Sequence, residues 1–221
     1  MKSLKDELRI FCLSRGAEVF GVADTSTLRE EFDLPPNVVS RFDKAVCLGV
    51  GLSAAVLADI DQQPTKLYYH HYRTANTFLD QLAFSVSRWI EERGKSALPV
   101  PASQVTDWEK QTAHLSHKKI GVLAGIGWVG RNNLLVTRKL GSQMRLVTVL
   151  TDLPVDADRP VDEDCGTCFA CVKACPANAI QEKPEDFKHL DCFEKLKSFQ
   201  RHGIVGQFVC GVCVKACRKK S

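Results

Sequence analysis

Cys165, Cys168, Cys171 and Cys175 follow one another with two, two and three residues between them, and Pro176 closes the run. Further on, Cys210, Cys213 and Cys217 repeat half of that pattern, with Cys192 standing between the two groups. No feature limits the fold more, because thiols this close in sequence must turn toward a common object. The chain has 10 cysteines in 221 residues. Its start, Met1-Lys2-Ser3-Leu4-Lys5-Asp6-Glu7, has no apolar stretch of the kind that directs export. The apolar run from Ala45 to Leu52 falls far short of the roughly 20 residues a membrane span needs. A cytoplasmic chain that does not enter a membrane is expected, and cytosolic reductants keep thiols from forming disulfides. That leaves metal. Cys12 and Cys47 stand in apolar surroundings, where a free cysteine acts as a small buried hydrophobe, and neither is given a role.

The spacing C-x2-C-x2-C-x3-C-P is that of chains holding two 4Fe-4S cubanes, in which the fourth cysteine serves the other cluster. Three thiolates two residues apart wrap one face of a cube. Cys175 is expected at the start of the next helix, pointing away, with Pro176 at its first helical position. Applied to both halves, the crossed rule assigns Cys165, Cys168, Cys171 and Cys217 to one cluster and Cys175, Cys192, Cys210 and Cys213 to the other. One departure is visible, since Arg218 stands where a proline would follow Cys217. Zinc is the competing reading. It takes C-x2-C pairs a dozen or more residues apart, four ligands to an ion, and a triplet at two-residue spacing does not suit it. Clusters also change the charge balance. The formal charge of +4 counts every thiol as neutral, whereas an oxidised cubane with four thiolates carries roughly two negative charges. Basicity is then no argument for nucleic acid.

Upstream, helices and strands alternate without internal repeats. Ser3 and Asp6 have the form of a capping box ahead of Leu4, Leu8, Phe11 and Leu13, which predicts a helix ending at Gly16. Val19–Ala23 and Ala45–Val50 read as strands on either side of a loop at Pro35 and Pro36. Between 66 and 93, Ala75, Phe78, Leu79, Leu82, Ala83, Val86, Trp89 and Ile90 recur at helical spacing up to Gly94. A loop at Pro99 and Pro101, a helix over about 109–124, and strands at 134–137 and 146–151 flanking a Gly141-Ser142 turn complete the reading. Six acidic residues between Asp152 and Asp164 mark a change of composition. An α+β chain is expected: an α/β domain over 1–155, followed by a small ferredoxin-like double-cluster domain over 156–221.

Gly125-Ile126-Gly127-Trp128-Val129-Gly130 matches G-x-G-x-x-G, which in a dinucleotide fold follows a strand and opens a helix. Here a predicted helix comes first and a strand follows, and Trp128 crowds the approach phosphates need. The same segment, extended through Arg131, Asn132, Asn133, Leu134 and Leu135, then Gly141-Ser142, Leu150-Thr151-Asp152-Leu153-Pro154, the cysteine run and Cys192, resembles epoxyqueuosine reductase. Weaker agreement reaches back to the opening helix and strand. That family is cobalamin-dependent, carries two 4Fe-4S clusters and is related in its core to the reductive dehalogenases. The resemblance implies that the N-terminal domain is of the corrinoid-binding type. It also implies that Gly125, Gly127, Trp128, Gly130, Arg131 and Asn132 lie against cobalamin, and that the cluster on Cys175, Cys192, Cys210 and Cys213 hands it electrons.

Two departures from the family bear on substrate. The family's catalytic Asp belongs to an Asp-Ser-Ala-Pro type segment, where this chain has Pro99, Val100, Pro101, Ala102, Ser103 and Gln104. The family also continues beyond the second cysteine group into a helical-repeat region that helps hold tRNA. These departures make tRNA an unlikely partner and leave a small-molecule or unknown substrate. His117 is the candidate acid in place of the Asp, since its neutral-range pKa suits proton transfer. Tyr68, Tyr69, His70, His71 and Tyr72 are candidates for the same cavity, and Arg218-Lys219-Lys220 reads as a solvated terminus. The expected function is a reductase fed by an external low-potential electron donor, as monomer or homodimer. The competing expectation is a ferredoxin-like carrier that docks a partner without chemistry of its own.

Overall fold

The computed structural model describes residues 2–107, 109 and 111–218. Lys219 and Lys220 of the basic tail lie outside the described residues. The architecture is mixed α/β. Helix α1 (Leu4–Ser14) opens with the expected capping box, in which Ser3 Oγ accepts from the Asp6 N–H at 3.1 Å and the Asp6 carboxylate accepts from the Ser3 N–H at 3.2 Å. Strands β1 (Val19–Asp24) and β2 (Lys44–Gly51) pair antiparallel, with Val19 opposite Gly49 and Asp24 opposite Lys44. Short helices α2 (Pro36–Val39) and α3 (Ala54–Ala58) lead to the long helix α4 (Lys66–Glu91). There follow β3 (Ala97–Val100), α5 (His117–Leu123), β4 (Trp128–Val129), β5 (Leu135–Val136) and β6 (Met144–Thr151). Helices α6 (Ala170–Ala174), α7 (His189–Arg201) and α8 (Val212–Ala216) complete the order. No helix among the described residues is long and apolar enough to cross a membrane.

The chain forms two compact units that do not follow a single cut in sequence. The first takes Met1–Val50, Asn76–Ile126 and Arg145–Val161; the second takes Gly51–Ala75, Gly127–Met144 and Asp162–Ser221. In the first, the sheet has the order β1-β2-β6-β3. Ala45 to Val50 on β2 are buried without interruption, the pattern of a strand covered on both faces. Helices α1 and α5 both pack on β1. The core on one side gathers Ala23, Phe42, Ala45, Cys47, Val100, Ile120, Ala124 and Leu150. The stripe on α4 is buried as its period predicts, from Leu79 through Val86 to Ile90, although Phe78 is 37% exposed.

Three local expectations change. The segment expected to be a loop around Pro99 is the edge strand β3, antiparallel to β6 with Leu98 opposite Leu150; a sheet edge is where a residue without an N–H is tolerated. The helix expected from about 109 starts only at His117, where Ser116 Oγ accepts from the Lys119 N–H at 3.3 Å. Ahead of it the Asp107 carboxylate takes the Glu109 N–H at 2.8 Å, a side-chain turn that competes with helix. Finally, β5 pairs with the two-residue strand β4, and β6 joins the larger sheet, so the Gly141-Ser142 turn does not join a hairpin.

Leu150 is fully buried, while Phe84 on the outer face of α4 is 62% exposed. Leu150→Ala should therefore cost about 2–5 kcal/mol in a denaturant titration, and Phe84→Ala no more than about 0.5 kcal/mol.

Candidate functional site

All eight cysteines of the two groups fall in the second unit. The first turn is tight: the Cys168 N–H donates to the Cys165 carbonyl at 3.0 Å, and the Gly166 N–H donates to the Asp164 carboxylate at 2.6 Å. Cys171 then sits in α6, and Cys175 caps the end of that same helix. This corrects the expected start of a new helix at Pro176, which here follows a helix end and prevents its continuation. Cys192 lies in the first turn of α7. Cys210 precedes α8, Cys213 lies within it and Cys217 caps its end.

Helices α6 and α8 carry the same five residues, Cys-Val-Lys-Ala-Cys, and pack on one another. Their cysteines are exchanged. Burial raises Cys171 to about 11, helped by the neighbouring thiols of Cys217, Cys165 and Cys168. Burial likewise pushes Cys213 well up, and there the nearest contributors are Cys210, Cys192 and Cys175. Cys192 also rises to about 11, through burial and then Cys210 and Cys175. Cys171 thus has Cys217, Cys165 and Cys168 as its thiol neighbours, while Cys213 has Cys210, Cys192 and Cys175, with Cys171 a further one. Among the described residues, no three His, Cys, Asp or Glu side chains close up as for a single ion. Four mutually repelling, partly buried thiols become thiolates only around a cation, because an unpaired buried charge is costly. That donor set fits a cubane with four thiolate ligands.

The residues that the resemblance set against a corrinoid have other engagements. In the first unit, Gly125 has φ +66, and a Cβ there would stand 2.5 Å from the Arg159 carbonyl oxygen. In the second, a Cβ on Gly127 would fall 1.9 Å from the Val136 carbonyl oxygen, so only glycine lets β4 and β5 meet. Trp128 is 5% exposed. Arg131 donates to the carbonyls of Glu182 at 2.6 Å, Gly166 at 2.9 Å and Cys168 at 3.1 Å, with its guanidinium over the Phe169 ring. Asn132 is buried and donates to Ser142 Oγ at 2.9 Å. Arg131 and Asn132 are thus held within the second unit by their own hydrogen bonds. Arg131 braces the turn from Cys165 to Cys168, a part that the sequence concealed because Arg131 lies far along the chain from those cysteines.

His117 lies in the first unit. Its Nε2 donates to the Pro101 carbonyl at 2.9 Å, and its Nδ1 accepts from the Thr148 hydroxyl at 2.8 Å. In the second unit, Tyr68 is buried beside Gly211, Tyr69 lies beside Gly206, and His71 Nε2 accepts from the Ser53 N–H at 2.9 Å. Tyr68 and Tyr69 thus pack on the stretch that carries Cys210.

No protein-family model matches the chain. Over 103 residues it is 36% identical to an epoxyqueuosine reductase of Leadbetterella byssophila, which covers 42% of this chain and 33% of that protein. The chain spans a third or less of the length of such curated relatives. The structure of epoxyqueuosine reductase from Streptococcus thermophilus is matched with a TM-score of 0.66 at 19% identity, over 98% of this chain and 66% of that one. The K488Q variant of the catabolic reductive dehalogenase NpRdhA gives a TM-score of 0.74 at 19% identity, over 95% of this chain and 31% of that one. A third neighbour overturns the expectation that tRNA is an unlikely partner. It is an epoxyqueuosine reductase with a tRNA-Tyr epoxyqueuosine-modified stem loop, matched over 97% of this chain and 64% of that one at a TM-score of 0.65 and 19% identity. The expectation leaned on a docking region beyond the cysteines, whereas the fold shared with that tRNA-bound protein lies within the chain. Sequence and fold together make this chain a relative of epoxyqueuosine reductase, with a fold also found in the reductive dehalogenases.

Proposed function

We propose that the chain is an iron-sulfur reductase of the epoxyqueuosine reductase kind, with one 4Fe-4S cluster on Cys165, Cys168, Cys171 and Cys217 and a second on Cys175, Cys192, Cys210 and Cys213. The exchange of thiols between α6 and α8 carries the reading, because two sets that share both helices suit paired clusters and not separate zinc sites. When bound, the clusters supply two one-electron stores at low potential. Two electrons and two protons reduce an epoxide to an alkene and water. The substrate class proposed is epoxyqueuosine in tRNA, supported by the tRNA-bound neighbour, with an external low-potential protein refilling the stores. The resemblance also supports cobalamin as a further cofactor, and no side chain of the 125–132 loop is assigned to it.

The chain's own residues hold the thiols out of water and fix their carbonyls, Arg131 above all. His117 is not assigned as the acid. Removal from water lowers its pKa to about 4 from 6.5, so it is neutral near pH 7, and its single N–H is held by Pro101. We assign it the task of tying the 101 segment to β6.

After anaerobic reconstitution, about eight iron and eight labile sulfide per chain are expected, from four of each per cubane. Cys165→Ser should remove one cluster signal and leave the other. Stoichiometric zinc without labile sulfide would end the reading. Reduced protein given cobalamin and epoxyqueuosine-bearing tRNA should yield queuosine by mass spectrometry. Full loading with electron transfer to a partner protein but no turnover would make the chain a carrier instead.

His117 also gives a pH prediction. Since its folded pKa lies below its unfolded value, the unfolded chain binds the extra proton between 6.5 and about 4. Its contribution to stability is full above that window and is lost as pH falls through it. His117→Asn should flatten the dependence of the denaturation midpoint on pH there. An imidazole resonance titrating near its ordinary value would refute the assignment.

A further inference from the structure

Arg131 stands on a turn that is itself tightly held. The Gly130 N–H donates to the Leu134 carbonyl at 2.9 Å, and the Asn133 N–H donates back to the Gly130 carbonyl at 2.9 Å. Asn132, 4% exposed, accepts from the Leu134 N–H at 3.3 Å and donates to Ser142 Oγ at 2.9 Å. The turn lies beside the first thiol set, since a Cβ added at Gly130 would stand 3.5 Å from Cys165 Sγ. From this base the Arg131 guanidinium reaches carbonyls on both sides of α6: Gly166 and Cys168 before the helix, and Glu182 after it. Its carbon lies 4.2 Å from the centre of the Phe169 ring.

The stretch it grips is the exposed corner of the set. Among the cysteines, Cys168 alone is exposed, and residues 161–169 belong to no helix or strand. Gly166 has φ +50. Within the stretch, the Cys168 N–H donates to the Cys165 carbonyl at 3.0 Å and the Gly166 N–H to the Asp164 carboxylate at 2.6 Å. The carbonyls of Gly166 and Cys168 are left to Arg131, whose planar fork holds several acceptors at once through charge-assisted bonds.

We infer that Arg131 is a positioning residue that fixes the Cys165–Cys168 turn and thereby sets how long the first set retains iron, with Cys168 the ligand that lets go first. A ligand already held in place costs less entropy to order when metal binds and swings away less readily. Release is a ligand exchange. The iron bond to the Cys168 sulfur breaks, a donor atom of the competing chelator takes its place, the thiolate takes a proton from water, and no electron is transferred.

The retention half of the inference rests on the iron-sulfur reading, and two measurements keep their failures apart. The first is amide hydrogen exchange of the 165–169 segment in the full chain as purified, which reads the grip whatever the thiols hold. Arg131→Gln should raise exchange there about tenfold, the loss expected when charge-assisted bonds to a turn are removed. The second is anaerobic release of iron from the reconstituted chain to EDTA, followed by the visible absorbance, with Cys165→Ser identifying the phase that belongs to the first set. Arg131→Gln should speed that phase about tenfold and leave the other phase at its wild-type rate. Arg131→Lys keeps a cation that can meet some of the carbonyls, so it should recover part of the loss. If Arg131→Gln does not fold, Arg131→Lys decides alone: faster release in the first phase only supports the grip, and wild-type release overturns it. Unchanged exchange and release in Arg131→Gln, both phases speeded together, or no recovery with lysine would also overturn it. Absence of any cluster in the reconstituted wild-type chain would overturn the reading beneath the retention half, while the exchange result would still decide the grip.

Discussion

Thiols that face one another away from water are stable as acids and unstable as anions, and the second unit holds Cys171, Cys192, Cys210 and Cys213 in that condition. Burial and mutual repulsion raise Cys171, Cys192 and Cys210 to about 11. Around a positive metal the same repulsion would become ligation. The surrounding structure is arranged to keep the sets in place. Arg131 gathers carbonyls from two turns of the first set, and Lys215 of α8 reaches the Ile60 carbonyl in the segment after α3. Gln143 holds the Lys215 carbonyl at 2.9 Å.

How much of this was legible depended on whether a constraint was local. Cysteine spacing is covalent, so the crossed assignment could be written before any fold was known. The capping box of α1 and the stripe of α4 were local too. Sheet order was not. Pro99 suggests a loop until β6 supplies a partner that makes it an edge, and nothing near Leu134 announces that its strand pairs backward with Trp128. Cys175 was misplaced by one helix because Pro176 serves equally at a helix start and just past a helix end.

The glycine segment shows a different kind of opacity. Glycines are needed wherever backbone comes close to something, and a motif does not say whether that something is phosphate, a corrin ring or the chain itself. Here the carbonyls of Val136 and Arg159 come close enough that Gly127 and Gly125 leave no room for a Cβ. The inverted order of helix and strand argues against a nucleotide and carries no information on what the segment meets instead. His117 is a parallel case: its residue type suggests an acid, and only Pro101 and Thr148, distant in sequence, show that both ring nitrogens are engaged.

The interleaving of the two units has a consequence for how such a molecule comes into being. The cysteines lie on the last segment of a unit whose other walls, Gly51–Ala75 and Gly127–Met144, are made much earlier. Bringing those walls together closes long loops, which is entropically slow. During synthesis the early pieces must wait, partly assembled, for the cysteine stretch to emerge, and an excised 156–221 fragment would lack Arg131 and Tyr68. The thiol sets are then completed only after all three segments of that unit have been made.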